Sequence, residues 1–112
     1  MYLAFNAPHD PRQAPKKFLN LYPIEKISIP VNYSPAHPYM YEIGNGPGLR
    51  DEALAPYPRS KYSVKKHIQE YYAIISHLDE QVGRIISHLE NKKLLENTYI
   101  IFTSDHGLSV GQ

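Results

Sequence analysis

Three side chains in this sequence stand where chemistry is done: His9, Asp105 and His106. Asp105-His106-Gly107 closes the run Thr98-Tyr99-Ile100-Ile101-Phe102-Thr103, which is apolar, β-branched and aromatic. Such a run reads as a strand buried in a parallel sheet, and α/β enzymes carry ligand groups just past the carboxyl ends of these strands. A carboxylate beside an imidazole offers two donors to a metal ion. The same residues also suit a strand-end turn in which Asp105 accepts backbone donors ahead of Gly107. His9 follows a shorter apolar run, inside Asn6-Ala7-Pro8-His9-Asp10-Pro11. Taken alone, a histidine between prolines is a surface loop residue.

These residues need elements to hold them, and the pattern supplies an α/β arrangement. Residues 1–6 read as a strand that the prolines break. Residues 7–62 form a Pro-rich loop region, since all ten prolines fall between Pro8 and Pro58. Short helical turns are expected near Pro15–Leu21 and Leu49–Leu54. Residues 63–93 read as one long helix, with Ile68, Tyr71, Tyr72, Ile75, Leu78, Val82, Ile85, Ile86 and Leu89 at three- and four-residue spacing. Ser63 is the expected N-cap, with Ser60 as its competitor. Gly83 inside the helix suggests close approach to a sheet, since glycine there costs about 1 kcal/mol. Residues 98–103 read as the second strand. A right-handed crossover leaves the two strands parallel, so His9, Asp105 and His106 share one rim of the sheet. Two parallel strands and one helix do not cover a sheet on both faces, and further strands are expected outside this chain.

Composition narrows the function classes. The chain has 112 residues, 12 basic and 11 acidic side chains and a net charge of +1, which gives no electrostatic case for nucleic acid or an anionic membrane. It has no cysteine, so neither a disulfide framework nor a thiolate site is present. No stretch approaches the ~20 apolar residues of a membrane span. The start, Met1-Tyr2-Leu3-Ala4-Phe5-Asn6, is not a signal peptide.

Three segments, in order, resemble the type I (formylglycine-dependent) sulfatases of the alkaline phosphatase superfamily. They are Asn6-Ala7-Pro8-His9-Asp10-Pro11, the helix from Tyr71-Tyr72-Ala73 through Gly83-Arg84-Ile85, and Thr103-Ser104-Asp105-His106-Gly107-Leu108-Ser109-Val110-Gly111-Gln112. The segment from Leu49-Arg50-Asp51-Glu52 to Pro58-Arg59 is similar to bacterial sulfatases acting on sulfated glycans. The resemblance implies an alkaline-phosphatase-like domain of which residues 1–112 are a central part. It implies hydrolysis of a sulfate ester, with a carbohydrate as the expected substrate, and a periplasmic or secreted location for the parent protein. It assigns Asp105 and His106 as Ca²⁺ ligands and His9 as the catalytic histidine that contacts the sulfate ester. The family makes its formylglycine from a Cys/Ser-x-Pro-x-Arg motif. Ser28-Ile29-Pro30 begins that way, but Asn32 stands in place of the arginine and the segment lies downstream of His9, so no nucleophile is expected in this chain. The family's N-terminal aspartate pair, which completes the metal site, and its lysine shortly after Gly111-Gln112 are likewise expected outside this chain. Alone, the chain is expected to turn over nothing. A phosphohydrolase or phosphonate monoester hydrolase of the same superfamily, or a non-catalytic glycan-binding homologue, are the competing readings.

Among the remaining residues, Tyr33, His37, Tyr39 and Tyr41 sit in the long loop and are candidates for a glycan subsite. Tyr71 and Tyr72 read as core. His67, His77 and His88 read as packed or solvated, and Asp79 as a hydrogen-bonded structural group. Gly44-Asn45-Gly46-Pro47-Gly48 lacks the lysine and the strand–loop–helix context of a phosphate loop and reads as a turn.

Overall fold

The computed structural model describes residues 1–49 and 52–111. Their order is α1 (Lys16–Leu19), 3₁₀ turns at Ile24–Lys26 and Glu52–Leu54, α2 (Lys61–Asn91) and a 3₁₀ turn at Leu95–Asn97. Two compact units result: Met1–Tyr22 with Glu70–Leu108, and Pro23–Gln69 with Ser109–Gln112.

Helix α2 is 31 residues long, against the expected span of 63–93. Its start is set by Ser60 and not by Ser63, because the Ser60 hydroxyl accepts the Ser63 N–H at 3.0 Å. A cap serves the N–H three residues on, which makes Lys61 the first helical residue. The helix ends in two reversing bonds, Leu94 N–H to Leu89 C=O at 2.9 Å and Lys93 N–H to Glu90 C=O at 2.8 Å. Between them Lys93 takes a left-handed φ of 56°. This is a Schellman end with lysine at the position where glycine is usual. Gly83 has nothing within 4 Å of where a Cβ would stand. Among the described residues, then, no sheet approaches it.

In the first unit α1 docks on one face of α2. Phe18 is buried and stacks on the His77 ring with centroids 4.9 Å apart. Lys17 Nζ lies 4.5 Å above the Phe18 ring and donates to both Glu80 carboxylate oxygens at 2.8 and 2.9 Å. Tyr22 shares a 2.6 Å hydrogen bond with Ser76 Oγ and meets Tyr72 edge-on. Residues 72, 76 and 80 recur every four positions, so they lie along one stripe of the helix. Asp79, off that stripe, is exposed rather than buried and bonded as expected.

The expected strands at 1–6 and 98–103 are absent; no strand occurs among the described residues. The apolar side chains of both runs face solvent, with Tyr2 at 90%, Tyr99 at 99% and Ile101 at 88% exposure. A strand exists only through its ladder to neighbours, and a parallel one needs cover on both faces. Nothing among the described residues supplies either, so the runs keep their composition without the structure it suits. The α/β sheet is therefore not present here.

The second unit replaces regular structure with local ties. Arg59 donates its backbone N–H to Pro35 C=O at 2.9 Å, accepts the Tyr33 hydroxyl on its own carbonyl, and turns its guanidinium onto the carbonyls of Ala55 and Pro56. Tyr57 O–H reaches Met40 Sδ at 2.7 Å. The apolar core is Ile27, Met40, Val64 and Ile68. Gly111 has a φ of 93°, and a Cβ there would overlap the Val64 side chain, so only glycine fits. The Gly44–Gly48 cluster is a turn, as expected, with Asn45 N–H bonded to Met40 C=O at 2.7 Å. Of the glycan-sulfatase-like segment, Arg50 and Asp51 lie outside the described residues.

Candidate active site

The first unit contains His9, Asp105 and His106. A turn places His9, its N–H bonding Asn6 C=O at 2.9 Å. Its Nδ1 lies 2.8 Å from the Asp10 carbonyl and 3.1 Å from Asp10 Oδ1. Both partners are acceptors, so the proton sits on Nδ1 and the lone pair of the neutral ring sits on Nε2.

The same logic orients His106. Its Nδ1 lies 3.2 Å from the Gly107 carbonyl, an acceptor, which leaves Nε2 as the lone-pair nitrogen. That nitrogen is 3.8 Å from Asp105 Oδ2. The other carboxylate oxygen, Oδ1, accepts the His106 N–H at 2.9 Å, and Ser104 O–H bonds the His106 carbonyl at 2.7 Å. Asp105 is thus held below the ordinary carboxylate range. The cause is first the His106 N–H, then its own N–H, then the charge of the His106 ring, with a smaller pull from His9.

The donor set suits a hard cation in part. Asp105 is ionised, and Oδ2 and His106 Nε2 stand close enough to share one ion with bonds of ~2.3–2.6 Å. Calcium takes about six to eight ligands. Among the described residues no group of three or more His, Asp or Glu side chains comes together to hold a metal. Asp105 and His106 thus offer two adjacent donors, fewer than calcium takes.

The structure adds one residue that the sequence reading assigned to the core. Tyr71 projects its hydroxyl to within 3.8 Å of where a Gly107 Cβ would be, placing a phenol at the turn that carries Asp105 and His106. Helical spacing hid it, because a tyrosine on an apolar stripe reads as packing. Tyr72 is 45% exposed and His77 packs against Phe18.

The proposed subsite residues belong to the second unit. Tyr39 N–H donates to His37 Nδ1 at 3.2 Å, and the two rings meet at 60° with centroids 6.1 Å apart. Tyr41 lies over Gly46, whose Cβ would stand 3.6 Å from its ring. Tyr39 and Tyr41 are 63% and 73% exposed, which leaves their faces open to a ligand.

Compared with known protein families, the sulfatase model matches residues 1–112. The chain belongs to the sulfatase family. Among curated sulfatases, it is 34% identical over 118 residues to a sulfatase of Formosa agariphila, covering 98% of this chain and 22% of that protein. It is 36% identical over 123 residues to the iduronate 2-sulfatase of Mus musculus, again covering 98% and 22%. The choline-sulfatase of Rhizobium meliloti is 32% identical over 116 residues, covering 98% and 21%. The chain therefore spans about a fifth of the length of the curated sulfatases it matches. No solved structure matches it.

Proposed function

We propose that this chain forms part of an enzyme that hydrolyses sulfate esters on a carbohydrate. The observation that supports this best is the sulfatase family match over residues 1–112, which includes the segments that carry His9, Asp105 and His106. A carbohydrate substrate is favoured by the similarity to an iduronate 2-sulfatase and by the exposed aromatic loop His37–Tyr41. In the complete enzyme the runs 1–6 and 98–103 would be strands of an α/β sheet, and the location would be periplasmic or secreted. No helix among the described residues is long and apolar enough to cross a membrane.

Asp105 Oδ2 and His106 Nε2 are the groups of this chain that would hold Ca²⁺. When bound, Ca²⁺ would neutralise the sulfate oxygens and the charge that builds on them. The formylglycine nucleophile would come from a segment other than this one. His9 carries the proton chemistry that this chain can supply. With Nδ1–H fixed on Asp10, the protonated ring presents Nε2–H to an ester oxygen, and the Asp10 carboxylate stabilises the imidazolium. Asp105 stays ionised through the pull of the His106 amide, which keeps it a ligand in mildly acidic solution.

The test is to express the longest open reading frame that contains this chain and to measure release of inorganic sulfate from sulfated oligosaccharides. Sulfate release is expected, and His9→Ala should lower kcat by about 10²-fold or more, the usual worth of a general acid. Release of phosphate from phosphate esters in preference to sulfate would overturn the reading in favour of a phosphohydrolase.

A further inference from the structure

We propose that the first two turns of α2 form a second binding surface, one that grips a sulfated carbohydrate chain through Lys61, Tyr62 and Lys65. The identity of the partner rests on the sulfate-ester reading above; the surface itself rests on charge and exposure.

The charge is local. From Ala53 to Gln69 there is no Asp or Glu, while Arg59, Lys61, Lys65 and Lys66 fall within eight positions. The other eight basic residues of the chain are outnumbered by its 11 acidic ones, so the excess of positive charge is concentrated here. The first turn of α2 contains no acidic residue, and the positive end of the helix dipole adds to the lysines. At about 100° per residue, Lys61, Lys65, Tyr62 and Lys66 follow one another around a single arc of roughly 140°. Lys61 is exposed, Lys65 is half-buried and Tyr62 is 66% exposed. Lys66 donates to Gln69 Oε1 at 2.9 Å, and Arg59 holds the Ala55 and Pro56 carbonyls. The fully exposed charge is therefore Lys61, with the half-buried Lys65 beside it on the arc and Lys66 and Arg59 adding to the local field.

This pattern suits a polysulfated sugar more than a lipid surface. Membrane adsorption needs an apolar face beside the cations, but the neighbouring Val64 and Ile68 are 4% and 5% exposed and already in the core. Sulfate esters stay singly charged at all working pH values, and compact ammonium groups meet them as point charges. An open phenol ring between them offers a flat apolar face to a sugar ring and a hydroxyl at its edge. A polymer held here would be kept near the enzyme between hydrolytic events, by the logic of effective concentration.

The experiment is fluorescence anisotropy of a labelled dextran sulfate oligosaccharide titrated with this chain, with unsulfated dextran alongside. Binding to dextran sulfate alone is expected, weakening with salt by a slope on the order of two released ions. Lys61→Gln with Lys65→Gln should weaken it on the order of tenfold. Lys92→Gln with Lys93→Asn, the same charge loss at the far end of α2, should change it less than about twofold. Tyr62→Ser should also weaken binding at constant charge. Circular dichroism checks that each variant keeps α2. Equal losses from the two lysine pairs, no loss from either, or no effect of Tyr62→Ser would overturn the proposal. So would single-stranded DNA of matched charge competing as well as dextran sulfate, which would reassign the surface to nucleic acid. Binding is read without turnover, so its loss leaves the hydrolysis reading standing. Binding without sulfate release by the longer protein would sink the hydrolysis reading alone.

Discussion

The two units of this chain solve the same problem by opposite means. The Pro23–Gln69 unit has no long helix of its own beyond the start of α2, and backbone ties gathered on Arg59 hold its prolines in place. The Met1–Tyr22 and Glu70–Leu108 unit relies on one helix face, to which α1 is fixed by a stacked ring, an ion pair and a tyrosine–serine bond. The first strategy ties loop to loop through carbonyls, and it too leaves apolar side chains such as Val31 and Ile43 exposed. The second anchors α1 well but leaves the apolar runs at 1–6 and 98–103 exposed, because their natural partners are strands. The lesson is that closure depends on how far an element must reach for its partner. Turns and helix-to-helix contacts are satisfied within these residues, and a sheet is not.

The sharpest way to break the contrast is Phe18→Ala. It removes the one buried ring of α1 and should destabilise the chain by about 3 kcal/mol, read by urea unfolding. The docking of α1 should be lost while amide protection around Arg59 is retained. Loss of protection in both units at once would show that they do not fold by separate means.

The matching test of the other unit is Arg59→Ala. It deletes the guanidinium bonds to Ala55 and Pro56 and should cost about 1–2 kcal/mol. Hydrogen exchange at residues 35–59 should rise, with the Phe18–His77 contact unchanged.

Two changes should stabilise. Gly83→Ala meets open space and should gain about 1 kcal/mol from helix propensity. Lys93→Gly relieves a left-handed lysine and should gain about 1 kcal/mol. A rise in thermal midpoint measures each, and a fall for Gly83→Ala would mean that something packs against that helix face.

The smallest effect is on pH. Glu80 is held below its ordinary value of 4.5, first by the Lys17 hydrogen bond and then by the charges of Lys17, His77 and Arg84. A carboxyl with a depressed pKa in the fold contributes stability above its unfolded pKa. That contribution is lost as pH falls through the folded value, here below 4.5. The exposed pair contributes little, so acid should loosen α1 only slightly, seen as a shift of the Phe18 ring resonances. Glu80→Gln should remove that dependence.

Much of the site was legible because its residues are local phrases. Pro8-His9-Asp10 and Ser104-Asp105-His106-Gly107 organise themselves through bonds to immediate neighbours, as His9 does with Asp10 and Asp105 with His106. The place of Tyr71 was not legible, because it depends on which turn of α2 meets Gly107. Ser60 and Ser63, three apart, offer the same cap signal in the sequence, and only the backbone path chooses Ser60. Asp79 was misplaced because a residue beside an apolar stripe is buried only if something covers that side.

By itself the sequence determined the long helix, the turn chemistry, the ligand-type residues and the family. These are set by periodicity and by bonds between near neighbours, which any 112-residue copy of this chain carries with it. Only the tertiary structure decided that α1 clamps the 72–76–80 stripe and that Tyr71 reaches the turn carrying Asp105 and His106. It decided equally that two runs with strand composition stay unpaired. A strand's hydrogen bonds belong to its neighbours, and no pattern within the run can supply them.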